Sequence, residues 1–231
     1  MSWKRFLLSA ANRMGAALPR PVRRFVADFP GVLGLFERMS RGSVVAVMTP
    51  EGFPLYLNPL FHSNLLEGGD LSGYEPEMRA AIAKLTRPGM TAFDIGANVG
   101  VFTLQWAALV GERGRVVAFE PEPNNFECLQ RTVRHERLRQ VTADRRAVSS
   151  ASGTAHFDRR GGAFSGRLAE DGPNTIAVDM IALDDAIERG ELPAPDILKI
   201  DVEGNEGLVL QGMERTLRRE ATALFHSPTS K

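Results

Sequence analysis

The sequence holds a single cysteine, Cys128, so it cannot form an internal disulfide. It also lacks the cysteine and histidine spacings of metal sites, and its apolar stretch FLLSAA is far too short to span a bilayer. Because 28 basic and 28 acidic residues cancel, the basic surplus typical of nucleic-acid-binding proteins is missing. We therefore expect a metal-independent protein of the reducing cytoplasm that does not act on nucleic acid.

Composition divides the 231 residues into three regions. Residues 1–42 form a basic helical extension, in which all six charged residues before Asp28 are lysine or arginine. Residues 43–90 carry two accessory strands and a cap helix, and residues 91–231 form the main domain. The extension either packs on that domain or lies on an anionic membrane surface as a peripheral amphipathic helix.

Within the main domain, short apolar stretches alternate with segments of helical periodicity. The stretches TAFDI, RVVAFE, DILKIDVE and ATALFHS have strand length. This alternation predicts an α/β fold with a doubly wound, mostly parallel, Rossmann-like sheet. Residues 153–180 interrupt the pattern with two half-solvated strands. We expect the glycine-rich insert between them, 159–174, to act as a lid over a substrate.

The loop DIGANVG follows the first predicted strand of this domain, where such folds bind ligands. A dinucleotide fingerprint beginning at Gly96 would need further glycines at the positions of Asn98 and Val101, so the match fails. Asp94 would repel a diphosphate, whereas it would attract a ligand with ammonium and sulfonium groups. The loop therefore favours S-adenosylmethionine over NAD.

An acidic residue, Glu120, ends the second strand 24 residues after Gly96, close to the spacing of an acid that binds ribose. One carboxylate can accept hydrogen bonds from both ribose hydroxyls. Each feature alone could equally be a structural turn or a solvated acid. Their occurrence at the ends of neighbouring predicted strands favours a nucleoside site.

Charged residues mark the end of the fourth strand, where Lys199, Asp201 and Glu203 alternate with apolar residues and so point to one side. Charges in such a strand have to be paired or functional. Asp201 or Glu203 could accept the proton of a substrate hydroxyl, with Lys199 orienting the carboxylates. The alternative is a structural ion cluster that braces the sheet.

Taken together, these stretches resemble the FkbM-type class I methyltransferases. The matching segments are GYEPEM (73–78), PGMTAFDIGANVGVFTL (88–104), VVAFEPEPNNFECLQ (116–130), RRAVSS (145–150) and DILKIDVEGNEGLVLQGM (196–213). The resemblance implies S-adenosylmethionine as cofactor and O-methylation of a hydroxyl on a small-molecule or glycan acceptor, such as a sugar, glycolipid or natural product.

The resemblance also implies a set of site residues. The cofactor site would consist of Tyr74, Asp94, Gly96, Ala97, Asn98, Gly100, Glu120, Pro121, Arg146 and Ala147. In it the glycine loop surrounds the methionine half, Glu120 holds the ribose, Arg146 and Ala147 flank the adenine, and Tyr74 covers the cofactor. Asp201, Glu203 and Lys199 would carry the catalytic chemistry.

The sequence departs from this family at its end. A class I sheet usually has two further strands after the fifth, whereas here five residues follow His226. We therefore expect a sheet without those strands, whose edge is covered by a second copy of the chain or by the strands of region 43–90. An inactive domain that only binds cofactor or a partner is the alternative to an active enzyme.

Overall fold

The computed structural model describes residues 44–59, 61–62, 65–66, 71–158, 167–169, 172, 175–202, 204–218 and 223–226. The predicted basic extension, Glu203 and most of the glycine-rich insert lie outside these residues.

The described residues form eleven strands and six helices. The strands are β1 (Val45–Met48), β2 (Pro54–Leu57), β3 (Thr91–Ile95), β4 (Arg115–Phe119), β5 (Val141–Asp144), β6 (Ala147–Val148), β7 (Gly153–Asp158), β8 (Arg167–Ala169), β9 (Thr175–Ile181), β10 (Ile197–Ile200) and β11 (Ala223–His226). The helices are α1 (Pro76–Leu85), α2 (Val101–Val110), α3 (Pro123–His135), α4 (Leu183–Glu188), α5 (Glu206–Gln211) and α6 (Glu214–Leu217).

Five parallel strands form the central sheet, in the order β11–β10–β3–β4–β5. Alternate residues of β3 face opposite sides, so Ala92 joins one apolar cluster with Leu104 and Trp106 of α2. Phe93 joins a second cluster with Leu183 of α4. Helices thus cover both faces, which confirms the predicted doubly wound α/β fold. The strand order reverses between β3 and β10, where such sheets bind their ligands.

The interruption at 153–180 builds a separate four-stranded sheet, in the order β6–β9–β7–β8. Its longest pairing is the antiparallel one between β7 and β9, which confirms the two strands predicted there. The short strand β6 runs parallel to β9 and follows β5 directly, so the second sheet begins beside the end of the central one.

The accessory strands β1 and β2 pair antiparallel with each other, and β2 packs on α3. The Tyr56 N–H donates to the Thr132 hydroxyl at 3.1 Å, and the Tyr56 hydroxyl donates to Glu136 at 3.3 Å. In the part of the chain that is described, these strands do not pair with β11. Within the described residues, the alternative in which β1 and β2 cover the edge of the central sheet is therefore wrong.

Among the helices of the described residues, none has both the length and the apolar character needed to span a bilayer.

The sequence predicts one helix over 206–218, but the structure divides it into α5 and α6. Gly212 lies so close to another segment that a Cβ there would be 2.0 Å from the Ser149 carbonyl oxygen. Its own carbonyl accepts the Asp184 N–H at 2.8 Å, so it is drawn out of the helical path. The Asp184 carboxylate then accepts from the Arg215 N–H, the Thr216 N–H and the Thr216 hydroxyl at 2.7–2.8 Å, which caps α6.

Removing this cap tests the packing of α4 against α6. We expect Asp184→Ala to lower the free energy of unfolding by about 1–3 kcal/mol, because it leaves N–H groups of α6 without an acceptor. Asp185→Ala is the matched control, since this half-exposed neighbour makes only an exposed ion pair with Arg215. Its effect should stay within about 0.5 kcal/mol. Urea denaturation measures both, and equal effects would contradict the assigned cap.

Candidate active site

A cavity lies at the carboxyl ends of β3, β4 and β10, at the point where the strand order reverses. Most of the site residues expected from the sequence line it: Tyr74, Gly96, Ala97, Asn98, Glu120, Pro121, Arg146, Ala147, Lys199 and Asp201. Asp94 and Gly100 lie behind its wall, and Glu203 is outside the described residues. The structure thus brings residues from five separate stretches of the sequence to one site.

Two glycines let the loop after β3 approach its neighbours closely. Gly96 has φ 79°, and a Cβ there would lie 1.9 Å from the Asp201 carbonyl oxygen. Gly100 has φ 100°, and a Cβ there would lie 2.7 Å from the Leu129 side chain. A side chain at either position would meet both the strain of a left-handed backbone and a collision. The loop is therefore held against β10 on one side and α3 on the other.

The backbone N–H groups of loop residues 96–100 all have acceptors within the chain. The N–H groups of Gly96 and Ala97 donate to the Phe119 carbonyl at 3.0 and 2.9 Å, and that of Asn98 donates to the Glu120 carboxylate at 2.8 Å. The Val99 N–H donates to the Asn98 side chain at 2.7 Å, and the Gly100 N–H donates to the Ala97 carbonyl at 2.9 Å. Dinucleotide-binding loops direct such groups at a diphosphate. These five amides are engaged, so they do not form a phosphate cradle.

A buried carboxyl group, that of Glu120, forms one end of the cavity wall with 5% of its surface exposed. Its oxygens accept the N–H groups of Asn98 and Glu122, both at 2.8 Å, and it is hydrogen-bonded by the Asn125 side chain. Burial raises the pKa of Glu120 to about 8. The hydrogen bonds favour the charged form and oppose this shift, but burial has the larger effect. This group therefore has a strong tendency to gain further hydrogen-bond donors.

A buried ammonium group, that of Lys199, lies at the other end of the cavity. Its Nζ is 3.2 Å from an Asp201 oxygen and 3.6 Å from an Asp94 oxygen, and it lies 5.3 Å from the centre of the Phe102 ring. Burial opposes the charge, but the two carboxylates outweigh it and raise the pKa of Lys199. The ammonium is therefore charged and forms a bridge between β3 and the end of β10.

Asp94 is fully buried beneath this ammonium group. One of its oxygens accepts the Thr103 hydroxyl at 2.6 Å, whereas the other, which faces Lys199, has no hydrogen-bond partner. Burial raises the pKa of Asp94, and the charge of Lys199 acts in the opposite direction. Since Asp94 does not reach the cavity wall, it would not contact a ligand there, and Lys199 is the charge that it pairs with.

The segment before α1 adds an aromatic ring and a third carboxylate. The Tyr74 ring packs 5.9 Å from that of Phe102, and Glu75 begins α1 with φ 42°. Burial, then the charge of Asp201, raises the pKa of Glu75. Burial and the nearby carboxylates also raise the pKa of Tyr74, so its phenol stays neutral. With Asp94, three carboxylates surround one ammonium, and this end of the cavity has an excess of negative charge.

Arg146 lies on the opposite rim, just after β5. Its guanidinium makes three hydrogen bonds to Asp144, at 2.6–3.1 Å, and also contacts the Glu191 carboxylate. These contacts raise its pKa and hold it in place. The adjacent Ala147 and Val148 line the same wall, which gives this part of the cavity an apolar surface beside a fixed cation.

Several lining residues were missed by the sequence analysis. Glu122 caps α3 by accepting the N–H groups of Asn124 and Asn125 at 2.7 and 2.9 Å, and the sequence E-P-N-N could have predicted this helix start. Phe157 from β7 and Asn205 before α5 also line the cavity, but no local pattern indicates them. Within the described residues, no cluster of three or more histidine, cysteine, aspartate or glutamate residues could hold a metal ion.

The shifted pKa of Glu120 predicts a dependence of stability on pH. Between pH 4.5, the ordinary value, and about 8, the folded chain holds this proton while the unfolded chain has lost it. The contribution to the free energy of unfolding is therefore present at low pH and lost as the pH rises to about 8. Glu120→Gln should remove this part of the slope, as measured by urea denaturation across the range. Equal slopes in both proteins would contradict the assignment.

Comparison with known proteins identifies a family. The profile of the methyltransferase FkbM domain matches residues 94–225. Hexuronic acid methyltransferase AglP of Haloferax volcanii is 31% identical, over 64% of this chain and 60% of that protein. The 31-O-demethyl-FK506 methyltransferase FkbM of Streptomyces tacrolimicus is 35% identical, over 55% of this chain and 61% of that protein.

A solved structure, the precorrin-6Y C5,15-methyltransferase of Geobacter metallireducens, is 17% identical with a TM-score of 0.41, over 65% of this chain and 62% of that one. The chain spans about six tenths of the length of the two relatives named above. The profile covers more than half of this chain and includes the glycine loop, Glu120 and the charged end of β10. The chain therefore belongs to the FkbM methyltransferase family.

Proposed function

We propose that the chain binds S-adenosylmethionine in this cavity and transfers its methyl group to a hydroxyl of a small-molecule or glycan acceptor. The observation that supports this proposal is that the two ends of one cavity carry different sets of charged groups. One end has a buried carboxyl group, that of Glu120, and the other has three carboxylates around Lys199. A nucleoside with a cationic, phosphate-free tail is complementary to both ends.

The residues present fit this cofactor. The loop N–H groups of 96–100 are engaged within the chain, which disfavours a diphosphate. The excess of carboxylates disfavours an anion and attracts an ammonium or sulfonium group. One oxygen of Asp94 is buried without a hydrogen-bond partner, which leaves negative potential beneath the loop. Gly96 leaves no space for a side chain between the loop and Asp201, so the backbone itself forms the cavity floor.

Each part of the site then has a role in holding the cofactor. Glu120 accepts hydrogen bonds from the ribose, because it is buried beside the cavity and each bond to its charged form is worth about 1.5–3 kcal/mol. Pro121, Arg146 and Ala147 line the wall for the adenine. Tyr74 covers the end near Phe102. Gly96, Ala97 and Asn98 form the floor beneath the methionine half.

The reacting end needs a group that takes a proton from the acceptor hydroxyl. When bound, S-adenosylmethionine supplies an electrophilic methyl group on a sulfonium. Asp201 lines the cavity and is half-buried, so its carboxylate can take the hydroxyl proton as the oxygen becomes nucleophilic. Lys199, 3.2 Å away, fixes the orientation of that carboxylate. Glu203 remains a second predicted proton acceptor, one that the described residues do not include.

The hydroxyl class of acceptor is supported by the relatives. The 31-O-demethyl name of one points to an oxygen acceptor, and the hexuronic acid named for the other carries hydroxyl groups as well as a carboxyl group. Oxygen methylation of a sugar or natural product is therefore the class of reaction we propose. Because this chain spans about six tenths of those proteins, binding of cofactor without turnover is the competing outcome that the experiments below separate.

Calorimetric titration tests the cofactor. We expect the purified chain to bind S-adenosylhomocysteine and not NAD. Above pH 8, where Glu120 is ionised, Glu120→Gln should weaken binding roughly 10- to 150-fold, the value of one hydrogen bond to a charged group. Glu127→Gln is the matched control, because this exposed glutamate lies on α3 and pairs only with Arg131 at the surface. Preferential uptake of NAD would overturn the proposal.

Turnover tests the proposed base. With saturating S-adenosylmethionine and a panel of sugars, uronic acids and macrolide alcohols, the chain should form S-adenosylhomocysteine. We expect Asp201→Asn to reduce the turnover rate by about 100-fold or more while the fold is kept. The exposed Asp179→Asn in β9 is the matched control. Full activity of Asp201→Asn would refute its role, and binding without any turnover would favour a binding-only domain.

A further inference from the structure

A histidine that the proposed function does not use, His62, is completely buried in the segment after β2. Its Nε2 lies 3.0 Å from the Oδ1 atom of Asn125, and its Nδ1 lies 3.2 Å from the backbone nitrogen of Asn58. Asn125 lines the cavity, whereas His62 is not among the lining residues of the described chain. Asn125 therefore connects His62 to the cavity wall.

The hydrogen bonds around the imidazole assign its proton. Burial lowers the pKa of His62, so the ring is neutral and one nitrogen donates while the other accepts. Nδ1 lies 3.2 Å from the Asn58 backbone nitrogen and 3.1 Å from the Asn58 carbonyl oxygen, so its contacts fit either tautomer. Nε2 faces the amide oxygen of Asn125, which can only accept, so the proton belongs on Nε2, which donates to Asn125.

The contact of Asn125 with Glu120 is consistent with this assignment. The Asn125 side chain hydrogen-bonds the Glu120 carboxyl group and favours the charged form, so the amide nitrogen is the donor toward Glu120. The amide oxygen then has to face away from Glu120, toward His62, where only an N–H can satisfy it. The three side chains form one directed chain of hydrogen bonds that ends at the cavity wall.

We propose that His62 is a positioning residue for the nucleoside site, because its Nε2–H fixes the Asn125 amide in the orientation that donates to Glu120. This inference rests on the proposed function and extends it to the accessory region, from which His62 comes. Without that N–H, the amide can rotate and present its oxygen to the carboxylate. Glu120 would then lose a hydrogen-bond donor and face the partial negative charge of the amide oxygen. Both changes weaken the hydrogen bonds that Glu120 accepts from the ribose hydroxyls.

Two polar variants separate positioning from mere filling of the core. In His62→Gln the amide nitrogen can reach the Nε2 position and donate to Asn125. In His62→Asn the shorter amide can reach only the Nδ1 position, beside Asn58. We expect His62→Asn to weaken binding of S-adenosylhomocysteine roughly 3- to 10-fold, and His62→Gln to change it less than about 2-fold, as measured by calorimetry.

The ligand itself supplies a further control. The 2′,3′-dideoxyribose analogue of S-adenosylhomocysteine offers no hydroxyl to Glu120, so its affinity should be the same in both variants. In an Asn125→Ala background, His62→Asn should have no further effect on S-adenosylhomocysteine, because the amide that it positions is absent. Equal losses for both ligands, or an additive loss in the double variant, would show a general structural effect and overturn the inference.

A ligand-free measurement keeps this test independent of the proposed function. The titration of the Glu120 carboxyl carbon, followed by NMR and assigned with Glu120→Gln, should move to a higher pKa in His62→Asn and not in His62→Gln. No difference between the variants would overturn the inference, even if neither ligand binds. Failure of the unaltered chain to bind S-adenosylhomocysteine, together with the expected shift, would instead refute the proposed function alone.

Discussion

The site depends on one ion pair inside the central sheet, between Lys199 of β10 and Asp94 of β3. The two residues are direct partners in the register of these parallel strands, so the fold brings their side chains together on one face. Both are buried, and isolating either charge from water would be very costly. The pair is therefore kept only if both charges are present, and it fixes the end of β10 against the start of the glycine loop.

From this pair, the geometry of both ends of the cavity follows. The Asp201 N–H donates to the Ile95 carbonyl at 3.0 Å, and the missing side chain of Gly96 allows the Asp201 carbonyl to approach the loop. The same loop donates an N–H to Glu120 on β4. The glycine loop thus contacts both ends of the cavity, at Asp201 and at Glu120.

The sequence predicted the parts of this arrangement that are local or periodic. Alternating strands and helices gave the fold, and the spacing of Gly96 and Glu120 placed both at one edge of the sheet. It could not predict contacts between distant segments, such as His62 with Asn125, which are 63 positions apart. The break after α5 was missed for the same reason, because it depends on Ser149 and Asp184 rather than on the helix itself. Asp94 was predicted at the site, but only tertiary packing shows that it lies behind the wall.

The engaged amides of the glycine loop bear on how such a site could change its ligand during evolution. Phosphate-bearing nucleotides such as ATP and NAD share adenosine with the proposed cofactor, so recognition of adenine and ribose cannot reject them. The loop therefore has to exclude these phosphate-bearing nucleotides, because a diphosphate there would meet N–H groups that are already hydrogen-bonded and carboxylates nearby. Substitutions of Glu120 and Asn98 would release two of these N–H groups, but the other three donate to backbone carbonyls and would stay bonded. A switch to a phosphate ligand would therefore require a different backbone path in the loop as well as new side chains.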